Sequence, residues 1–172
     1  MTTGRRTLRD GVVLGLIAYA AVAVFYAAFD VLAARGTLYT VDLLGKAAFR
    51  GLRDPAVLQL PMELDLTAIF LYNALHLVAS LAIGCVVAWL IHQAEARPAS
   101  ALLFLGAIVG GYVVTILAVG LLTRSFRSLL PWWSIVAANT AAVALAGAWV
   151  VWKWPRAWRA LLPFLADRRD AP

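Results

Sequence analysis

The chain has 172 residues, of which 63% are hydrophobic and 14% charged, with a formal net charge of +6. Soluble domains run roughly 45–50% apolar and about 25% charged, so this composition excludes an ordinary water-facing surface. The basic residues flank apolar runs and form no basic face of a folded domain. That pattern argues for membrane anchoring and against nucleic-acid binding.

The first apolar run, residues 11–29, contains no Asp, Glu, Lys or Arg, and it continues past Asp30 to Ala34. It predicts a membrane span over about 12–34. Arg5, Arg6 and Arg9 precede it, and Ala18-Tyr19-Ala20 and Ala21-Val22-Ala23 fit the small-residue pattern of a signal-peptide cleavage site. The run extends roughly ten residues beyond those sites, too long for a signal core, so a retained span is expected.

In the following connection, residues 41–53 read as a short amphipathic helix. Asp42, Lys46, Arg50 and Arg53 fall on one stripe, and Leu44, Ala48 and Leu52 mark another face. Thr40 is placed to cap its start, and Asp42 and Lys46 form a favourable i,i+4 pair. The pattern favours a helix lying in the membrane interface, with a helix docked on the bundle ends as the alternative. Residues 54–65, with Pro55 and Pro61, are expected to be irregular.

Residues 66–91, 98–123 and 128–152 hold no charged side chain. A helix rises about 1.5 Å per residue, so about 20 residues cross a hydrocarbon core of about 30 Å. Spans are expected over about 66–91, 100–123 and 132–153. The runs are continuously apolar and do not alternate, which selects helices over a barrel. Two connections are short, so the predicted architecture is an all-α, up-down, integral membrane four-helix bundle. Beyond it, residues 154–172 form a basic amphipathic tail. There Lys153, Arg156, Arg159, Arg168 and Arg169, with Trp154 and Trp158, suit lipid headgroup anchoring.

With both termini in the cytoplasm, nine Lys and Arg lie inside and six outside, so that orientation is expected. Polar residues within the runs share a depth. Tyr26, Asp30, Asn73, His76, Thr115 and Asn139 all fall in one half of the bilayer when an up-down bundle is assumed, and are predicted to form one interior cluster. Interhelical hydrogen bonding is the plainest role for it. Gly106 and Gly110 form a small-xxx-small pair suited to close helix packing.

Other chemistry is sparsely represented. Cys85 is the sole cysteine, so no intrachain disulfide and no cysteine-based metal site is expected. A bis-histidine haem held within the chain is excluded. His92, the only other histidine, lies 16 residues after His76 on the same helix, about 24 Å away. His92 itself reads as a solvated interfacial residue. No phosphate-binding loop, zinc motif or nucleophile–base arrangement is present. Glu63 and Asp65, two residues apart before the second span, could bind a cation, but such a pair more often caps a helix start, where negative charge meets the dipole.

The Asp10-Gly11 pair opening a Gly/Ala-rich span, Asp30 near its end, and the T-x-x-L-L-G segment Thr40–Gly45 resemble small four-span bacterial membrane proteins of unassigned function. The resemblance covers about the first third of the chain. It implies the same fold and carries over no catalytic residue. The Ala-, Arg- and Trp-rich composition fits a high-GC bacterium, and the inner membrane is the expected location. The leading expectation is a non-enzymatic membrane protein without cofactor or metal. It would contact the lipid bilayer and assemble with other membrane subunits or with itself. A small proton-coupled carrier using Asp30 and His76 is the alternative, and a haem- or pigment-binding subunit using His76 is the third reading.

Overall fold

The computed structural model of the protein describes residues 3–52, 63–97 and 101–155. Among these residues five α-helices follow in order: α1 (Thr3–Leu32), α2 (Tyr39–Phe49), α3 (Leu66–Ala96), α4 (Ala101–Leu122) and α5 (Trp132–Lys153). A single 3-10 turn, Arg124–Phe126, lies between α4 and α5. Helices α1, α3, α4 and α5 are long and apolar enough to cross a membrane. Their outer faces are apolar too: Phe70, Leu103 and Leu121 are each at least 70% exposed, as suits lipid as the solvent.

Helix α1 begins well before the charge-free run, taking in Arg5, Arg6, Arg9 and Asp10. Loss of hydropathy marks where lipid ends; backbone hydrogen bonding continues past that point. At its other end the chain turns through Ala34, whose φ is 54°. The Ala34 amide donates to the Val31 carbonyl at 3.0 Å and the Arg35 amide to the Asp30 carbonyl at 2.9 Å. This pair of bonds is a Schellman closure. The Arg35 side chain then donates from Nη1 to the Leu129 carbonyl at 2.7 Å, across to the α4–α5 connection. Its guanidinium lies over the rings of Phe29 and Tyr39, 5.3 and 5.1 Å from their centroids.

The short helix expected between the first two spans is α2, and it is docked into the end of the bundle. Leu43, Leu44 and Ala47 are buried, packed in clusters with Phe126, Leu130 and Ile135. Gly45 permits this close approach, because a Cβ there would lie 2.4 Å from the Ala68 carbonyl oxygen of α3. Thr40 does not cap the helix as its sequence position suggests. The N-cap is Leu38, without a side-chain bond, and Thr40 turns instead to α1.

Helix α3 has a side-chain cap: Asp65 Oδ1 accepts from the Ala68 amide at 2.9 Å. It extends to Ala96, five residues past its charge-free run. Helix α5 follows Pro131, whose extended backbone suits the position before a first turn.

Helix α1 packs most extensively on α3 and next on α5, while α4 makes a smaller contact with α3 and α5. The α1–α3 crossing is set by glycines. A Cβ on Gly84 would lie 2.3 Å from the Gly11 carbonyl oxygen and 2.5 Å from the Gly15 nitrogen. Gly11-x-x-x-Gly15 and Ser80-x-x-x-Gly84 therefore face each other as a pair of small-xxx-small surfaces. Asp10, His92 and Lys153 meet at one end of the bundle, and Asp30, Thr40 and Leu129 lie near the other, which gives α1, α3 and α5 their up-down order. The anchoring residues Arg156, Trp158, Arg159, Arg168 and Arg169 lie outside the described residues, as does Arg53.

Candidate functional site

The polar side chains expected within the spans distribute over three places. The first lies between α1 and α3. Tyr19 donates its hydroxyl to Asn73 Oδ1 at 3.1 Å, and Asn73 returns its amide to the Ile69 carbonyl at 3.0 Å. The His76 ring packs beside Tyr19, centroids 5.2 Å apart, and beside Tyr72 at 6.2 Å. Asn73 and His76 are thus neighbours of the same tyrosine. Tyr19 shares a helical face with Tyr26 and Asp30, the signal by which it was legible in the sequence.

The second place is the α1–α2 junction. Asp30 is buried and accepts from the Thr40 amide at 2.7 Å and the Thr40 hydroxyl at 2.6 Å. Tyr26, one turn earlier, reaches the Ser134 side chain of α5. The third place is α4 and α5. Thr115 donates to the Gly111 carbonyl at 2.8 Å and Asn139 to the Ile135 carbonyl at 2.8 Å, each four residues back on its own helix. Tyr112 and Thr140 share a hydrogen bond of 2.7 Å between the two helices. The six residues named from depth therefore have different partners. Asn73 and His76 come together, and Tyr26 and Asp30 meet other elements. Thr115 and Asn139 bond locally.

Two charged assemblies carry electrostatics that hydropathy did not reveal. Asp42 is fully buried, although periodicity alone put it on the polar stripe of α2. Its carboxylate accepts from Lys46 Nζ at 2.8 Å and from the Asp65 amide at 3.0 Å, so it fastens α2 to the entry of α3. Lys46 also donates to the Glu63 carbonyl. Beside it, Arg50 Nε donates to Asp65 Oδ2 at 2.8 Å. That bond, with the Ala68 amide, holds the Asp65 carboxyl well below its ordinary 3.8, at about 2.

At the opposite end, buried Asp10 pairs with Lys153 Nζ through one oxygen, and the other lies 3.4 Å from His92 Nε2. Three spans converge on this carboxylate. Lys153 Nζ sits 4.4 Å from the Trp149 centroid and 5.2 Å from that of Trp154, whose ring meets His92 edge-on. His92 is therefore part of a partly buried ion-pair group and not a solvated surface residue. The sequence clue was its spacing from the bundle end, shared with Asp10 and Lys153. Two grooves flank the group. One is lined in part by Thr7, Cys85, Trp89 and His92, the other by Arg9, Val13, Trp149, Trp152 and Lys153.

Gly106 and Gly110 stand apart from these. A Cβ at either would meet nothing within 4 Å. They lie on the face of α4 turned away from Tyr112 and Ile116, which face the bundle. Among the described residues no buried side-chain nitrogen or oxygen lacks a hydrogen-bond partner, and no cluster of His, Cys, Asp and Glu suits a metal ion. Comparison of the chain with protein-family models, with curated proteins and with solved structures finds no match.

Proposed function

We propose that the chain is a non-enzymatic, structural or accessory protein of a bacterial inner membrane. In this reading both termini face the cytoplasm, and helix α4 assembles with other membrane subunits or with a second copy. The observation that carries the reading is the outward seam of α4. Leu103, Gly106, Gly110, Val113 and Leu117 repeat at heptad-like steps of three and four residues and are exposed. Only 6% of the most apolar stretch of α4 is buried within the chain. In lipid, small residues favour helix association because they let backbones approach closely, as Gly11, Gly15 and Gly84 already do between α1 and α3.

The interior polar groups support this reading over a carrier. Asp30 has both oxygens engaged by Thr40, whereas His76 packs against Tyr19 and Tyr72. The two groups that a proton path would join have separate neighbours and serve as fastenings. Extraction of the tagged protein into polymer-bounded native nanodiscs tests the reading by mass. An assembly larger than the monomer is expected; a monomer under every mild extraction would overturn it.

A further inference from the structure

We propose that the groove between the first turns of α1 and the last turn of α5 binds the headgroup of an anionic phospholipid. The inference stands independently of the assembly reading. The groove has a volume of about 610 Å³ and is lined by Arg9, Val13, Trp149, Trp152 and Lys153. Its chemistry changes with depth. Arg9 and Lys153 stand at the end of the bundle. Val13 lies one turn deeper on α1, and Trp149 one turn deeper on α5, about 6 Å toward the membrane centre. Charge at the rim above apolar walls is the polarity profile of a phospholipid, phosphate outermost and acyl chain below. Trp152, 79% exposed, stands at the level where tryptophan prefers the headgroup boundary.

The cations are suitably arranged. Lys153 is held in place by Asp10 and by its contacts with Trp149 and Trp154. An ammonium has three donors, so the bond to Asp10 leaves donors for a phosphate oxygen. Asp10 offsets the Lys153 charge, and Arg9 supplies the unmatched one. Arg9 is exposed and has no carboxylate partner among the described residues. Arg5, one turn earlier, adds positive potential to the same face of α1. A planar guanidinium suits bidentate phosphate binding. A choline headgroup would bring its own cation against Arg5 and Arg9, so the site selects an anionic headgroup. A free phosphate would leave Val13 and Trp149 uncovered.

The test is native mass spectrometry of the full chain released from mild detergent. Phosphatidylglycerol and phosphatidylcholine with identical acyl chains are offered at equal concentration. One phosphatidylglycerol is expected to be retained with a preference of about fivefold, the effect of one basic residue near an anionic headgroup. Arg9→Gln should abolish the preference, Arg9→Lys should keep part of it, and Arg124→Gln, at the opposite end of the bundle, should leave it intact. Circular dichroism confirms that each variant keeps its helix content. In parallel, brominated phosphatidylglycerol should quench tryptophan fluorescence at lower mole fraction than brominated phosphatidylcholine, and Trp152→Phe should shrink the difference. Soluble glycerol phosphate should not displace the lipid. Equal retention of the two lipids, an unchanged preference in Arg9→Gln, or displacement by glycerol phosphate would each overturn the proposal.

Discussion

The Asp30 carboxylate receives both the amide and the hydroxyl of Thr40, at 2.7 and 2.6 Å, and so ties the first turn of α2 to the end of α1. Both residues are almost wholly buried. Removing the acceptor leaves two buried donors unpaired, at about 1–3 kcal/mol each. Asp30→Ala is therefore expected to destabilise the fold by about 3 kcal/mol, and Thr40→Val, which keeps the amide bond, by about 1 kcal/mol. Reversible unfolding in mixed micelles measures both. Equal losses for the two variants would contradict the assignment.

Asp10, Lys153 and His92 join the ends of three spans, so single and paired substitutions should differ in kind. Lys153→Met leaves a buried carboxylate without its cation. A loss of about 2–3 kcal/mol is expected, below the range for fully buried pairs because Lys153 keeps some solvent contact. Replacing both partners, Asp10→Leu with Lys153→Met, should recover most of it, since neither charge then needs a partner. A double-mutant cycle reads the coupling, and additive losses would show that the two residues act separately.

The glycines divide by what they meet. Gly84→Ala drives a methyl into the backbone of Gly11 and Gly15, and a loss of about 1–3 kcal/mol is expected from overpacking. Gly106→Ala meets open space within the chain and should change monomer stability by less than about 0.5 kcal/mol. Thermal melts of the two variants in detergent give the comparison, and similar effects would refute the packing order described for α1, α3 and α4.

The cap of α3 should withstand mild acid. Arg50 and the Ala68 amide hold the Asp65 carboxyl down from 3.8 to about 2. A depressed folded-state value means that the cap contribution is complete above about pH 4 and is lost as pH falls through about 2. Carbon NMR of the labelled Asp65 carboxyl should show a midpoint near the lower value. Arg50→Gln should move it upward, and a wild-type midpoint at 3.8 would contradict the pairing.

The spans were legible because charge-free stretches of about 20 residues have one stable solution in lipid. Their ends were less so: Arg5 to Asp10 and His92 to Ala96 are helical outside the apolar run, where hydropathy carries no backbone information. Depth placed Tyr26, Asp30, Asn73, His76, Thr115 and Asn139 in one cluster, and it could not foresee that Thr115 and Asn139 bond to carbonyls of their own helices. Small-xxx-small spacing reads alike at Gly11, Ser80 and Gly106. Only the crossing of α1 and α3 shows that the first two fill each other while the third is left open. Asp42 was the least legible, because stripe periodicity treats every charge as solvated, while the docked α2 encloses this one with Lys46 and the Asp65 amide.

The central claim is that the outward seam of α4 is covered by protein in the native membrane. A photo-cross-linking side chain placed at position 110 tests it directly, with position 70 of α3, where Phe70 is exposed, as the lipid-facing reference. Irradiation of intact membranes is predicted to give a protein adduct from position 110, with another subunit or a second copy, and lipid adducts alone from position 70. Lipid adducts alone from both positions would contradict the account.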